Sequence, residues 1–219
     1  MQHGTVVVVV AGGDPPWDPA AGLPEDATVI AADGGVDRAL ALGLHVDLAV
    51  GDFDSVSDGG LAAAAAAGAR IDRHPVAKDA TDLELALDAA IALVPNRIVV
   101  VGSDGGRLDH LLGSALLLAD RRYAGAEIDA HLGEALIHVV HRCRTLAGAP
   151  GELVSLLPVH GPAEGVTTTG LAYPLRNETL PAGTSRGTSN VFAASEASVT
   201  VSWGCLLVVR PDPHRGPTS

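Results

Sequence analysis

The sequence predicts an α/β protein with an N-terminal, mostly parallel sheet flanked by helices over residues 1–140, followed by a C-terminal antiparallel β-sandwich domain over residues 141–219. Two observations support this prediction. In the first domain, apolar runs of strand length alternate with helical patterns, which is typical of parallel sheets with helical crossovers. In the second domain, short apolar segments recur between Gly, Pro, Asn and Thr residues, which is typical of antiparallel sheets.

Four apolar runs predict the strands of the first domain. The run at residues 6–10 consists of valines, as expected for a strand that is buried on both faces. Periodicity places Leu108, Leu112, Ala115 and Ala119 on the buried face of the last helix. Three strands end in clusters of Asp and Gly, and parallel sheets bind ligands beyond the carboxyl ends of their strands. The other predicted strands are residues 28–32, 47–50 and 98–101, and the predicted helices are 36–42, 61–67, 82–94 and from 107 onward.

The second domain carries four apolar segments of strand length. Glycine, proline and polar residues separate them, so we predict one strand of the sandwich for each segment. These segments are residues 153–159, 166–171, 198–202 and 205–209.

Charge and cysteine content exclude several classes of protein. The formal net charge of −12 argues against nonspecific nucleic-acid binding, which requires a basic surface. Cys143 and Cys205 form neither a zinc-binding pair nor a disulfide framework. The apolar run at residues 6–11 is too short to span a membrane and lacks the basic flank of a signal peptide. We therefore expect a cytoplasmic protein that binds neither nucleic acid nor membrane.

Asp52 and Asp54 lie at the end of the third predicted strand, within Gly51-Asp52-Phe53-Asp54-Ser55. In an extended chain, side chains two residues apart point to the same side, so both carboxylates are expected to converge. Mg²⁺ binds such a carboxylate pair together with water and substrate phosphates. A solvated acidic turn is the alternative for an isolated pair.

A second acidic cluster begins at Lys78, the only lysine in the chain. Thr81 and Glu84 have the spacing of a capping box, so Thr81 is the predicted N-cap of a helix. Asp82 then falls in the first helical turn, where it stabilises the helix dipole or completes a metal site. Lys78 is close enough in sequence to neutralise a bound phosphate.

Two further clusters follow strands. The glycine-rich loop at 102–106 precedes a helix beginning near Arg107, an arrangement that binds anions. Asp109 and His110 lie in the first turn of that helix, where His110 is either a base or a structural residue. Asp33 stands directly after the second strand, in Asp33-Gly34-Gly35.

In this order, these motifs resemble the thiamine pyrophosphokinase family, which carries ADGG, GDFDS, a K/D-x-x-TD stretch and GGRxDH. In this chain they occupy residues 32–35, 51–55, 78–82 and 105–110. Residues 169–175 resemble the family's GLxYPL segment, and Thr188-Ser189-Asn190 resembles its SN loop. The chain departs from the family at Ser114, where Asn is frequent, and at Val191, where Glu is frequent.

The resemblance implies that residues 1–140 form a catalytic domain that binds ATP and Mg²⁺, and that residues 141–219 form a thiamine-binding sandwich. It implies a homodimer in which thiamine lies between the catalytic domain of one subunit and the sandwich of the other. The implied reaction transfers the β,γ-diphosphate of ATP to the hydroxyethyl oxygen of thiamine, giving thiamine diphosphate and AMP.

The resemblance and the local patterns together assign roles to individual residues. Arg107 and Lys78 would neutralise phosphate oxygens, and Asp109 would either orient Arg107 or act as a base. Ser189 and Asn190 would hydrogen-bond the aminopyrimidine of thiamine. The expected Mg²⁺ ligands are Asp52, Asp54 and Asp82, with Asp79 a weaker candidate. The expected nucleotide-binding residues are Asp33, Gly34, Lys78, Asp79, Thr81, Gly106 and His110. For Asp33, the metal shell is the alternative.

Two other functions fit part of the pattern. A related pyrophosphokinase would act on a pterin-type alcohol, although the resemblance of the C-terminal segments favours thiamine. A non-catalytic nucleotide- or thiamine-binding regulator would keep the fold but lose acidic residues. All four of the expected carboxylates at 52, 54, 82 and 109 are present.

Overall fold

The first half of the chain is built on a six-stranded parallel sheet. Its strand order is β4-β3-β2-β1-β5-β6, and every neighbouring pair is parallel. The strands are β1 (Val6–Val10), β2 (Thr28–Ala32), β3 (Leu48–Gly51), β4 (Arg70–Arg73), β5 (Arg97–Gly102) and β6 (Glu127–Leu132). This confirms the predicted parallel sheet. β4 and β6 were not predicted, because polar residues interrupt their apolar residues. Arg and Asp do so in β4, and Glu and His do so in β6.

The computed structural model describes residues 5–12, 23–102, 107–211 and 213. The chain divides into one unit of Met1–Ser114 with Gly125–Gly133 and a second unit of Ala115–Ala124 with Glu134–Ser219. The predicted domain boundary between residues 140 and 141 stays a prediction. None of the helices in the described ranges is long and apolar enough to cross a membrane.

Capping side chains set where two of the helices begin. The helices are α1 (Gly35–Ala41), α2 (Asp58–Ala66), α3 (Asp82–Ala92) and α4 (Leu108–Leu118), with a 3₁₀ turn at Arg121–Tyr123. Thr81 caps α3 as predicted, because its Oγ1 accepts a hydrogen bond of 3.2 Å from the Glu84 amide. α2 begins three residues before its predicted start, because Ser57 Oγ accepts a 3.0 Å bond from the Gly60 amide.

The predicted buried face of α4 is wrong for the first two of its four residues. Leu108 and Leu112 are 66% and 55% exposed, whereas Ala115 is half-buried and Ala119 is buried as predicted. The sequence is apolar on several faces of this helix, so periodicity could not identify which face packs inward. The exposed leucines remain unexplained by the packing of the chain on itself.

The second unit is an antiparallel β-structure organised around one long strand. Its strands are β7 (Ala135–Val140), β8 (Cys143–Ala147), β9 (Leu153–Thr169), β10 (Glu178–Leu180), β11 (Asn190–Val191), β12 (Glu196–Thr200) and β13 (Trp203–Arg210). Their order is β7-β13-β9-β12-β8, and β10 and β11 also pair with β9.

The strand β9 spans two of the predicted strands in one element of 17 residues. His160, Gly161 and Gly165 have φ values of 58°, 130° and 65°, so the chain bends at this point and then resumes its pairing. Its first half pairs with β13 and its last residues pair with β12. This sharing of one strand between two layers produces the predicted sandwich-like architecture.

Candidate active site

Three carboxylates meet beyond the carboxyl ends of β2 and β3. Asp33 follows β2, Asp52 follows β3, and Asp82 is the first residue of α3. One ligand oxygen from each of the three lies within 4.8 Å of the others. β2 and β3 are parallel neighbours, so the residues that follow them share one edge of the sheet.

Gly51 makes room for this cluster. Its φ of 147° lies in a region that favours glycine, and a Cβ there would lie 2.9 Å from Asp82 Oδ1 and 3.2 Å from Asp33 Cβ. A side chain at this position would therefore push two of the three carboxylates apart. The GDFDS motif begins with glycine because two acidic residues from other segments close over its Cα.

Lys78 supplies the positive charge inside the cluster. Its Nζ donates a 2.8 Å hydrogen bond to Asp52 Oδ2 and lies 3.1 Å from Asp82 Oδ1 as an ion pair. The bond between Lys78 and Asp52 holds the pKa of the Asp52 carboxyl below its usual range and raises the pKa of Lys78. Asp52 is therefore ionised and Lys78 protonated at neutral pH.

The cluster retains unused bonding capacity. Asp33 Oδ1 is buried and has no hydrogen-bond partner within the described part of the chain. Asp82 Oδ1 is paired with Lys78 alone among the described residues, at 3.1 Å. A buried carboxylate oxygen is costly to leave unpaired, so Asp33 Oδ1 favours a cationic ligand. Hard oxygen donors in this number suit Mg²⁺.

Asp54 lies outside the three-carboxylate group. Phe53 has a φ of 64°, so the expectation of an extended chain between Asp52 and Asp54 is wrong. Asp54 is exposed, and its Oδ1 accepts a 2.8 Å bond from Ser55 Oγ. Whether Asp54 binds metal stays a prediction.

Arg107 and Asp109 form a pair at the start of α4. Arg107 Nη2 lies 2.6 Å from Asp109 Oδ2, and Nε lies 3.3 Å from Oδ1, a bidentate contact. The guanidinium lowers the pKa of the Asp109 carboxyl. His110 is exposed beside this pair. Within the described ranges, no hydrogen bond or ion pair joins Arg107 or Asp109 to the acidic cluster.

The other residues predicted to contact the nucleotide lie in different local environments. Gly106 and the glycine-rich loop at 103–106 lie outside the described residues. Asp79 is exposed, and Thr81 Oγ1 is the helix cap described above. At Gly34 a Cβ would lie 3.3 Å from the carbonyl oxygen of Ser55, so the loops after β2 and β3 are in close contact.

The two residues predicted to bind the pyrimidine differ in exposure. Ser189 is exposed and has a φ of 55°, and its amide donates to Ser155 Oγ at 3.1 Å. Asn190 is 5% exposed, and its amide group bonds to the backbone of Tyr173 and Val191. Direct contact of either residue with a substrate stays a prediction.

Sequence reasoning left the role of one site residue open and missed another residue. It placed Asp33 either at the nucleotide or in the metal shell, and the structure brings Asp33 together with Asp52 and Asp82 in one group. It overlooked Arg73, whose Nη1 donates a 2.8 Å bond to the Asp52 carbonyl and whose guanidinium lies 4.8 Å from the centre of the Phe53 ring. The signal for Asp33 was its position directly after a strand next to β3, whereas no pattern pointed to Arg73.

Comparisons with known proteins agree with this arrangement. A model of the thiamin pyrophosphokinase catalytic domain matches residues 22–128, and a model of the thiamin pyrophosphokinase vitamin B1 binding domain matches residues 136–206. The thiamine pyrophosphokinase of Bacillus subtilis (strain 168) is 30% identical over 214 residues, which cover 92% of this chain and 96% of that protein.

Solved structures show the same similarity. The crystal structure of thiamine pyrophosphokinase from Bacillus subtilis has a TM-score of 0.83 at 28% identity, covering 95% of this chain and 99% of that one. The crystal structure of thiamin pyrophosphokinase from Geobacillus thermodenitrificans has a TM-score of 0.78 at 31% identity, covering 94% of this chain and 97% of that one. The resemblance seen in the motifs is thereby confirmed, and the chain belongs to the thiamin pyrophosphokinase family of ATP-dependent diphosphotransferases.

Proposed function

We propose that this chain transfers the β,γ-diphosphate of ATP to the hydroxyl of thiamine, giving thiamine diphosphate and AMP, at the cluster of Asp33, Asp52, Lys78 and Asp82. The observation that carries this assignment is the convergence of three carboxylates within 4.8 Å at the carboxyl ends of neighbouring parallel strands. Membership of the family supplies the reaction and its two substrates. The carboxylates of the cluster would hold a cation, and this cation and Lys78 would neutralise the charge of the transferred diphosphate.

The donor set of the cluster fits Mg²⁺. Asp33, Asp52 and Asp82 would hold the ion through carboxylate oxygens, and the unpaired Asp33 Oδ1 is the strongest argument for a cation there. When bound, Mg²⁺ supplies positive charge to the phosphate oxygens of the nucleotide. This set keeps Asp52 and Asp82 of the predicted ligands and adds Asp33.

In this reaction the protein mainly has to position the two substrates and neutralise the charge of the phosphates. The thiamine hydroxyl oxygen forms a bond to the β-phosphorus, the bond from that phosphorus to the α,β-bridging oxygen breaks, and AMP leaves with the electron pair. Lys78 is protonated and would neutralise a phosphate oxygen. In such reactions, most of the rate enhancement comes from groups that are already oriented.

Asp109 is better suited to orient Arg107 than to act as a base. Both of its oxygens contact the guanidinium, and its lowered pKa makes it a weaker proton acceptor. Arg107, held in this way, would present its remaining N–H groups to phosphate oxygens. The proton of the thiamine hydroxyl would then be lost to solvent as the oxygen attacks.

A product assay tests the proposed reaction. Purified protein incubated with thiamine, ATP and Mg²⁺ is expected to form AMP and thiamine diphosphate in equal amounts, measured by ion-pair chromatography. Formation of ADP and thiamine monophosphate would contradict the proposal. Product from a pterin alcohol but none from thiamine would assign the related pyrophosphokinase reaction. Binding of both substrates without turnover would assign a regulator.

We also propose that the chain works in the cytoplasm as a homodimer. α4 leaves Leu108, Leu112 and Leu116 exposed at 66%, 55% and 45%, at helical spacing on one face. An apolar stripe of this kind is typical of an interface with another chain. Both cysteines are free thiols, which fits a reducing compartment.

The dimer is expected to show a sedimentation mass of twice the 22.1 kDa chain. Leu112→Glu places a charge in the stripe and should shift the protein toward the monomer at micromolar concentration. Ala63→Glu, at an exposed position of α2, is the matched control and should leave the mass unchanged. A monomeric wild-type protein, or a Leu112→Glu variant with unchanged mass, would contradict the assignment of this face.

A further inference from the structure

The residue that follows Asp52 has an unusual backbone conformation. Phe53 has a φ of 64°, in the left-handed region that residues other than glycine rarely adopt. Such a conformation costs free energy and persists only where the surrounding contacts favour it. Because the cost falls next to a carboxylate of the acidic cluster, the contacts that offset it also bear on the direction of the Asp52 side chain.

Two kinds of contact hold this turn. The Phe53 side chain is 8% exposed and belongs to the apolar core of the first unit. Arg73 makes the other contacts, since its guanidinium lies over the Phe53 ring at 4.8 Å from the ring centre and its Nη1 donates a 2.8 Å hydrogen bond to the Asp52 carbonyl oxygen. One guanidinium therefore binds both the peptide and the side chain that follow Asp52.

The sheet gives Arg73 a fixed place beside the turn. Arg73 is the last residue of β4, and its register partner in β3 is Gly51. The His74 amide donates to the Gly51 carbonyl at 2.8 Å, so the two strands stay paired up to this point. The Arg73 side chain is exposed, so burial does not fix it, and its contacts with the turn are what order it.

The bond to the Asp52 carbonyl limits where the Asp52 carboxylate can point. The carbonyl carbon and Cβ are both attached to the Cα of Asp52 at fixed angles, and β3 holds the chain on the other side through Gly51. A bond that holds the carbonyl therefore also sets the direction of Cβ. Without Arg73, the peptide is free to rotate, which carries the carboxylate away from Asp33 and Asp82.

We propose that Arg73 is a positioning residue, which holds the turn after Asp52 so that the Asp52 carboxylate meets those of Asp33 and Asp82. This inference rests on the proposed function, because it takes the three carboxylates, which lie within 4.8 Å of one another, as the Mg²⁺ site. Arg73 acts through Asp52 and makes no necessary contact with a substrate.

Binding of Mn²⁺ alone separates positioning from an effect of charge. Arg73→Met removes a positive charge beside Asp52, and the lost repulsion would by itself tighten the binding of a cation. A misdirected carboxylate would weaken it. We expect the dissociation constant of Mn²⁺ to rise about tenfold in Arg73→Met, measured without nucleotide by electron paramagnetic resonance of the free ion on the intact protein.

Two further variants serve as controls. Arg73→Lys keeps the charge and a donor for the carbonyl, so its Mn²⁺ affinity should stay within about threefold of the wild type. Arg70→Met makes the same change at the other end of β4, where Arg70 is exposed and pairs with Asp72 at 3.4 Å. It should leave the Mn²⁺ affinity unchanged.

A double variant tests whether Arg73 acts through Asp52. In a protein that already carries Asp52→Asn, the carboxylate that Arg73 directs is gone, so Arg73→Met should weaken Mn²⁺ binding by less than about twofold further. A full tenfold further loss would show that Arg73 supports the cluster by another route and would overturn the inference.

The remaining outcomes separate the inference from the proposed function. Mn²⁺ affinity that is unchanged or tighter in Arg73→Met would overturn the inference alone, and a loss of turnover in that variant would then assign Arg73 to the substrate phosphates. A wild-type protein that binds no Mn²⁺ would overturn the metal site of the proposed function, and this inference with it. Because Arg73 is exposed, its variants should fold, and circular dichroism checks this.

Discussion

Replacing Asp52 with Asn is expected to lower turnover about 100-fold or more while the chain stays folded. Asp52 is the carboxylate that joins both features of the site, because it belongs to the three-carboxylate group and accepts the Lys78 hydrogen bond at 2.8 Å. An amide keeps the size and can still accept from Lys78, so the fold should persist. It removes one negative charge from the place where a metal ion would bind.

The measurement for Asp52→Asn is Mg²⁺-dependent ATP binding by calorimetry, followed by turnover. Binding should require much higher Mg²⁺ than in the wild type, and circular dichroism should be unchanged. An Asp52→Asn variant with near-normal turnover at low Mg²⁺ would contradict the assignment of the cluster to Mg²⁺ binding.

Asp54→Asn is the matched comparison, since it makes the same chemical change two residues away. The sequence predicts that this variant loses its turnover and binds ATP more weakly in the presence of Mg²⁺, because it treats both aspartates as ligands. The structure places Asp54 outside the group and exposed, so a loss below about tenfold is expected from it. An equal loss of turnover in both variants would indicate that Asp54 is also a metal ligand.

The contrast between Asp33 and Asp54 shows which features of the site could be predicted from the sequence and which could not. Position after a strand is readable from apolar runs, and it predicted that Asp33 and Asp52 would lie at the same edge of the sheet. The direction of a side chain in a loop depends on φ and ψ, and the positive φ at Phe53 has no sequence signal such as glycine. The end of the strand was therefore predicted correctly, whereas the extended chain expected after it was not.

The fold shows the same division between local and tertiary information. Runs of β-branched residues identified β1 and β2 to the residue, because both are buried strands with continuous apolar sequence. β4 lies at the edge of the sheet and carries charged residues, so only its pairing with β3 reveals it. Similarly, the glycines near Gly161 predict an end to the strand. In the structure β9 continues past them, because it pairs with β13 before them and with β12 after them.

The start of α3 shows that two neighbouring polar residues at one helix end can have different roles. Thr81 and Asp82 were each open to a helix-capping or a functional interpretation. Thr81 caps the helix through its Oγ1, whereas Asp82 reaches the carboxylate group from the first helical turn. The local pattern could not separate these roles, because both place a polar side chain at the same helix end.

Removing the charge of Lys78 is expected to have the second largest effect, and it differs from the Asp52 change in its dependence on Mg²⁺. Lys78→Met leaves the carboxylates of Asp33, Asp52 and Asp82, which lie within 4.8 Å of one another, without the ammonium that pairs with two of them. Like charges at this separation repel, so the variant should melt about 2–4 °C below the wild type in EDTA.

Millimolar Mg²⁺ should restore the melting temperature of Lys78→Met, because a divalent cation replaces the lost charge in the cluster. Turnover should remain depressed about 100-fold at saturating Mg²⁺, since the ion cannot also replace the ammonium proposed to neutralise a phosphate oxygen. Lys78→Arg, which keeps the charge, is the control and should melt in EDTA close to the wild type. If Lys78→Met melts with the wild type in EDTA and gains no more from Mg²⁺, then the ammonium does not balance the cluster, and Lys78 acts on the substrate alone.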